Sequence, residues 1–187
     1  MKLHTLFTAA MVSLSLAAGS ALAQDEKAKK QAEVRKATQN SLQKFYKADP
    51  KLKDAVAKSP GYAVFTTYGI SFIFGGAGGK GLATDNKTKK LTYMDMAQAS
   101  AGLQVGAAES ETLIIFKNAQ ALQTFIDKGW EASGGAVAQA GAGGKSAGPD
   151  AGAQVIADAQ YYTLTKNGLQ AGVAVAGTKY WKDKDLN

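Results

Sequence analysis

The sequence predicts an α+β fold: basic amino-terminal helices, then a strongly curved, largely antiparallel, barrel-like β-sheet with one internal amphipathic helix. One observation is a composition boundary, since residues 24–58 hold no glycine whereas residues 59–187 hold twenty. A second is that closely spaced glycines interrupt short β-prone runs between residues 68 and 106, which in strands marks bends and close backbone approaches. We therefore predict structural roles for seven of these glycines: Gly75, Gly76, Gly78, Gly79, Gly81, Gly102 and Gly106.

The first 23 residues have the pattern of a cleaved signal peptide. A basic start is followed by an uncharged apolar run over residues 6–18 and by the small-x-small sequence ALA at residues 21–23. Because the chain contains no cysteine, we predict neither disulfides nor a lipoprotein anchor. The predicted organisation is a signal peptide (1–23), a basic helical segment (24–58) and a glycine-rich β domain (59–187). We expect the last two to form one folded unit in the periplasm or cell envelope.

The basic segment is predicted to form two helices. Apolar and small side chains recur at helical spacing over residues 25–46, while lysine and arginine fill the other positions. A second, short helix is predicted to begin at Pro50, a residue that suits the first turn. Residues 24–58 carry ten basic and five acidic side chains, against eleven and ten in residues 59–187. Most of the surplus positive charge that follows the signal peptide therefore lies in these helices.

The rest of the chain alternates between strand patterns and one helix pattern. The helix is predicted to be capped by Asn118, to bury Leu122 and Phe125, and to end at Gly129. The strands before that helix are predicted to form a meander. The predicted strands cover residues 62–67, 70–74, 81–84, 91–96, 100–107, 112–116, 153–157, 160–165 and 169–175.

Composition and motifs argue against catalysis. The single histidine, His4, lies in the predicted signal peptide, and the chain has no cysteine. The part of the chain after the signal peptide therefore lacks the commonest general base (His), a common nucleophile (Cys) and the usual zinc ligands. Gly76-x-Gly78-x-x-Gly81 matches a dinucleotide-binding pattern by letter, but no helix pattern follows it. The scattered carboxylates show no spacing typical of a metal site or a catalytic pair. The sequence thus predicts no catalytic residue, no metal and no cofactor.

Five short segments follow one another in a distinctive order and spacing: FGGAGGKG at 74–81, ASAGLQVG at 99–106, LIIF at 113–116, AGP at 147–149 and GLQAG at 168–172. Together they closely resemble the SYLF lipid-binding domain family, over about residues 35–181. The chain departs from the family where many members carry Trp-Ser-x-Pro before the second segment, because it has TYMD there.

The resemblance implies a compact α+β domain that binds phospholipids and has no known catalysis. In some members a basic amphipathic amino-terminal helix contributes to membrane binding, and fungal members also bind actin filaments, a role that we do not carry over. The matching basic positions here are Lys27, Lys29, Lys30, Arg35 and Lys36, and we add Lys80 in the glycine-rich sheet as a further candidate. The expected function is that of an exported, non-catalytic module that binds anionic phospholipid at an envelope membrane surface, with no nucleic-acid partner.

Two other classes of protein remain open at this point. A small outer-membrane β-barrel fits the chain length and the number of strands, but most of the predicted strands are shorter than the roughly 9–11 residues that a membrane span needs. An enzyme of unknown type is disfavoured by the motif search. The basic helix also has a simpler interpretation, as a solvated face above a stripe that packs on the core.

Overall fold

The fold is known from a computed structural model that describes residues 6–67, 76–99, 110–131, 158–166, 168–171 and 178–187. For residues 6–23, 76–77 and 98–99 it describes the backbone alone. The helices are α1 (Leu6–Ala48), α2 (Lys51–Lys58) and α3 (Ala119–Lys128). The strands are β1 (Gly61–Thr66), β2 (Gly76–Asp85), β3 (Leu91–Ala99), β4 (Glu111–Phe116), β5 (Trp130–Glu131), β6 (Ala159–Thr165), β7 (Gly168–Ala171) and β8 (Thr178–Lys182).

The described strands form one antiparallel sheet in the order β5-β8-β3-β2-β1-β4-β6-β7, curled into a half-barrel. The predicted α+β class with a curved sheet is therefore confirmed. The predicted strands at 70–74, 100–107 and 153–157 lie outside the described residues. The sequence analysis missed both β5 and β8. Strand β5 has only two residues, too few to show the alternation of buried and exposed side chains that marks a strand. Strand β8, with the sequence TKYWK, directly precedes the charged residues at the end of the chain.

The predicted meander is wrong beyond β3. Strand β4 does not extend the β1-β2-β3 series but pairs with β1, where Val64 lies opposite Leu113, and its other edge pairs with β6. Five of its six residues are buried, because helices cover both faces of this part of the sheet. A nearly continuous apolar run is typical of such a central strand, but it does not specify which strands are its neighbours.

Helix α1 packs along one face of the sheet through a single stripe. Val34, Thr38, Ser41 and Phe45 are buried at spacings of three and four residues, as expected for one side of a helix. Phe45 joins residues of α2, β1 and β4 in one apolar cluster. Both predicted helices are thus confirmed. Helix α1 is continuous from Leu6, and signal-peptide cleavage stays a prediction.

Helix α3 covers the opposite face of the sheet. The Asn118 side chain accepts a hydrogen bond from the Ala121 N–H at 2.8 Å, and Gly129 ends the helix with φ 69°, so both predicted ends are confirmed. The Phe125 ring lies 5.6 Å from the Tyr180 ring and 5.2 Å from that of Phe116, which gives this face an aromatic core. The described part of the molecule therefore has three layers: α1 and α2 form the first, the sheet the second and α3 the third.

Two of the seven glycines lie where the fold leaves no room for a side chain. A Cβ atom on Gly81 would overlap the ring of Phe65, and one on Gly79 would lie 2.8 Å from the Thr66 carbonyl oxygen. Gly76 and Gly78 belong to the same strand, β2. Gly75, Gly102 and Gly106 lie outside the described residues.

We expect Gly81→Val to lower the free energy of unfolding by about 1–3 kcal/mol, because the Phe65 ring must leave its place in the core. Gln170→Val is the matched control, since it adds the same β-branched side chain at an exposed strand position, and it should change stability by less than about 0.5 kcal/mol. Urea unfolding of both variants checks this. Equal midpoints for Gly81→Val and the wild type would contradict the role given to this glycine.

Candidate functional site

The side of α1 that faces away from the sheet carries a row of three lysines, Lys29, Lys36 and Lys47. They are seven and eleven residues apart, so at about 100° per residue they project within about 20° of one another, opposite the buried stripe. All three are exposed. Within the described residues, none of their ammonium groups has an ion-pair partner. We call these residues the outward row.

The other basic residues proposed from the sequence make contacts within the protein. Lys27 Nζ donates a hydrogen bond to the Asn187 backbone oxygen at 2.8 Å. Arg35 Nε donates to the Tyr93 hydroxyl at 2.5 Å, and its guanidinium lies 5.8 Å from the centre of that ring. Lys30 forms an exposed ion pair with Glu26 at 3.1 Å. The five candidates on α1 thus divide into Lys29 and Lys36, which point away from the sheet, and three that have partners.

Lys80, the sixth candidate, lies between two carboxylates. Its Nζ is 2.5 Å from Asp95 Oδ1 and 2.5 Å from Asp183 Oδ2. Burial alone would lower the pKa of Lys80, but its hydrogen bonds to Asp183 and Asp95 outweigh burial and raise it. The ammonium group is therefore charged at neutral pH and engaged by the protein itself.

The two carboxylates have opposite pKa shifts. For Asp183 burial acts to raise the pKa, yet the hydrogen bonds from Lys80 and from the backbone N–H groups of Leu186 and Asp185 lower it below its ordinary value. For Asp95 burial dominates and raises the pKa, with the negative charges of Asp183 and Asp185 adding to the effect. At this end of the sheet, one ammonium group is thus held between two carboxylates whose environments differ.

Residues 183–187 form a tail that ties α1 to β3, a feature that the sequence analysis missed. Asp183 Oδ1 accepts hydrogen bonds from the N–H groups of Asp185 and Leu186, and the Asn187 side chain bonds to both the N–H and the carbonyl of Tyr93. From the helix, Gln31 donates to the Leu186 carbonyl at 2.7 Å. An aspartate that accepts N–H groups two and three residues later is a turn signal that was available in the sequence.

A cleft of about 640 Å³ runs between α1 and the sheet, beside the outward row. Helix α1 forms one wall, Thr66 and Lys80 lie on the sheet side, and the tail forms the other end. Its described lining residues are Lys30, Glu33, Val34, Lys36, Ala37, Asn40, Thr66, Lys80, Asp183, Asp185 and Leu186. The cleft therefore offers charges of both signs next to apolar surface.

The part of the chain that the structure describes contains neither a candidate metal site nor a candidate membrane-spanning helix. No group of three or more His, Cys, Asp or Glu side chains there is placed to hold a metal ion. Among the same residues, no helix is both long enough and apolar enough to cross a membrane. The outward row and the cleft contain basic residues that were proposed from the sequence, and we consider these two features as candidates for binding.

Comparison with known proteins gives matches to one family. Residues 97–187 match the family model Ysc84, described as "Las17-binding protein actin regulator". The chain is 32% identical over 148 residues to Beta cell expansion factor A of Aeromonas veronii, which covers 78% of this chain and 54% of that protein. It is 29% identical over 140 residues to LAS seventeen-binding protein 3 of Saccharomyces cerevisiae, covering 72% of this chain and 30% of the yeast protein. The chain thus spans about half, or less, of the length of these curated relatives.

We expect Asp183→Asn to lower the free energy of unfolding at pH 7 by about 2 kcal/mol, because a buried carboxylate that accepts charged and backbone donors is lost. The pKa of Asp183 is lowered on folding, so its contribution is present above its ordinary value of 3.8 and is lost as the pH falls through the folded value. The difference between the variant and the wild type should therefore shrink towards about pH 3.

Urea unfolding at both pH values measures this difference. Asp185→Asn is the control, because that exposed tail residue contributes only its backbone N–H to Asp183, and its stability should match the wild type. A difference for Asp183→Asn that is equally large at both pH values would contradict the ionic role of Asp183.

Proposed function

Because this chain belongs over residues 97–187 to the SYLF (Ysc84) family, we propose that it is an exported, non-catalytic domain that binds anionic phospholipid at an envelope membrane surface. The family is a binding-type domain family and not a known enzyme family. The observation that carries the lipid proposal is the outward row, three exposed lysines in line on a helix whose other side is locked to the sheet.

The geometry of the outward row favours binding to a membrane surface over binding to a compact ligand. Three ammonium groups spread over eighteen residues of helix span about 27 Å at 1.5 Å per residue, which is the extent of a surface and not of a pocket. Each basic side chain near an anionic bilayer contributes roughly 1 kcal/mol. Because α1 is already packed on the fold, the row is presented without any need for the helix to form on binding.

The proposal that α1 contacts the membrane rests on the structure of this chain and not on the family match, since α1 lies outside the matched residues 97–187. Export rests on the predicted signal peptide of residues 1–23. The absence of histidine and cysteine after residue 23, and the internal pairing of Lys80 with two carboxylates, support a non-catalytic role.

A protein partner is the second candidate. The yeast relative is named for binding LAS seventeen, and the family description names the same binding partner. The two candidates are separated by purified components, because association with vesicles in the absence of any other protein requires a lipid-binding surface.

We expect the purified protein to sediment with vesicles that contain phosphatidylglycerol or cardiolipin and far less with vesicles of phosphatidylcholine alone. The triple variant Lys29→Gln/Lys36→Gln/Lys47→Gln should lose most of this binding while unfolding like the wild type, since all three side chains are exposed. Binding should also fall as salt is raised towards about 1 M, where charges are screened beyond roughly 3 Å.

The matched control is Lys87→Gln/Lys90→Gln/Lys117→Gln, which removes the same charge from exposed lysines outside α1 and should keep binding. Lys27 and Arg35 are left unchanged, because their substitution would disturb the tail and Tyr93 and so mix stability with binding. A folded outward-row variant that sediments like the wild type would refute the membrane role of α1.

A further inference from the structure

The flank of α1 that lies opposite the cleft borders a second, smaller depression, which we call the flank groove. Helix α1 forms one wall of it through Arg35, Thr38 and Gln39. Arg35 and Gln39 are each two residues from Ala37, which lines the cleft, so at about 100° per residue they project about 160° away from it. The floor consists of side chains from three neighbouring strands: Tyr62 and Val64 of β1, Leu82 and Thr84 of β2, and Leu91 of β3.

The flank groove combines apolar surface with charge of one sign. Val64 and Leu82 are buried in its floor, and Leu91 is 37% exposed, one of only two large apolar side chains exposed to this degree among the described residues. Arg35 is the only charged residue in the described lining, and its described side-chain partners, Tyr93 and Gln31, are uncharged. The groove therefore differs from the cleft, whose lining has charges of both signs.

The flank groove opens at one end onto the turn between β2 and β3, residues 85–90 with the sequence DNKTKK, which we call the basic turn. Thr84 and Leu91, which line the groove, are strand partners at the base of this turn. The turn contains one aspartate and three lysines, a surplus of two positive charges. The lysines are exposed, and within the described residues none has an ion-pair partner: Lys87, Lys89 and Lys90.

Hydrogen bonds hold the basic turn in one conformation. Asp85 Oδ1 accepts from the N–H groups of Lys87 and Thr88, each at 2.8 Å. The Asn86 side chain donates to the Val56 carbonyl oxygen at 2.7 Å, which ties the turn to the last turn of α2. A partner thus meets positive charges on a backbone that is already ordered, so binding requires little further loss of backbone entropy.

The position and size of these two features favour a protein segment over a bilayer. A bilayer on the outward row lies on the far side of α1 from the sheet, and a helix with its side chains is about 10–12 Å across. The basic turn belongs to the sheet layer, and charges are screened beyond about 8 Å at physiological salt. The flank groove, with about 260 Å³, is also smaller than the roughly 300–1,000 Å³ of small-molecule pockets. It fits one side chain of a peptide.

We propose that the flank groove and the basic turn form a docking site for an acidic peptide segment of a partner protein. One apolar side chain of the segment enters the groove beside Leu91, and its carboxylates lie along Lys87, Lys89 and Lys90. A buried apolar anchor supplies affinity, and charges at the rim supply orientation and a faster association. The inference rests on the second candidate function, a protein partner, and not on lipid binding, since no outward-row residue is in the described lining of the groove.

The first experiment selects peptides from a random display library on the immobilised, purified protein and measures the affinity of synthetic copies by fluorescence anisotropy. The enriched peptides should carry several carboxylates next to a large apolar residue, and raised salt should weaken their binding. Lys87→Gln/Lys89→Gln/Lys90→Gln, the basic-turn variant, should weaken binding about tenfold, since three exposed charge pairs together contribute about that much. Leu91→Thr should weaken it about fivefold through the lost apolar contact.

The matched control is the outward-row variant Lys29→Gln/Lys36→Gln/Lys47→Gln, which removes the same charge. It should bind the peptides like the wild type, whereas the basic-turn variant should keep its sedimentation with phosphatidylglycerol vesicles. Both variants should unfold in urea like the wild type, because the substituted side chains are exposed.

The second experiment locates the bound peptide by NMR. Titration of the isotope-labelled protein with an enriched peptide should shift the amide signals of Tyr62, Thr84 and Leu91, which line the flank groove. Saturable shifts that are confined to residues away from the groove and the basic turn would overturn the proposed site.

Failure of this inference and failure of the protein-partner candidate give different results. Enriched peptides without carboxylates, or equal affinity for the wild type and the folded basic-turn variant, overturn the docking site and leave the protein-partner candidate standing. A selection that enriches no peptide overturns both. Loss of vesicle sedimentation in the basic-turn variant assigns the turn to the membrane and also overturns the proposal.

Discussion

The docking of α1 on the sheet is the contact from which the functional features of this molecule follow. Phe45 is fully buried between α1, α2 and the sheet, and the Ser41 hydroxyl donates to the Glu111 carboxylate of β4 at 2.9 Å. Once this stripe of the helix is buried, the helical repeat decides where every other side chain of α1 points. The outward row, one wall of the cleft and the partners of the tail are all consequences of that single packing contact.

The docking gives basic side chains that are close in sequence different roles. Lys27 projects towards the sheet and holds the tail through the Asn187 backbone oxygen, whereas Lys29, two residues later, points to solvent. Arg35 packs on Tyr93, while its neighbour Lys36 lies at the mouth of the cleft. A charge that is already compensated by the protein contributes little to attraction over a distance, so net charge alone overstates the number of basic residues that are free to meet a membrane.

The cleft joins two parts of the chain that the family match separates. Asp183, Asp185 and Leu186 lie within residues 97–187, whereas the helix wall around Lys36 does not. The tail connects them, because Gln31 bonds to Leu186 and Lys80 bonds to Asp183. The stability of the sheet end and the shape of the cleft therefore depend on the same few polar contacts.

The sequence by itself determined the elements whose signals are local. The helices at 25–46 and after Asn118, the cap and the glycine stop, the antiparallel strands and the α+β class all follow from periodicity and from turn chemistry within a few residues. The resemblance in glycine spacing likewise led to the family whose model matches residues 97–187. For the candidate site, the sequence identified which residues are basic and that they share one helix.

Only the tertiary structure decided which of those residues are available and what they face. The pairing of β4 with β1, the ion pairs of Lys80 and the contact of Lys27 with Asn187 join residues that are far apart in sequence. No local pattern carries that information, since strand period specifies a face but not a neighbour, and helical period specifies a direction only relative to a buried stripe. The cleft, with charges of both signs in its lining, arises from this long-range packing, because the packing brings α1, the sheet and the tail to one place.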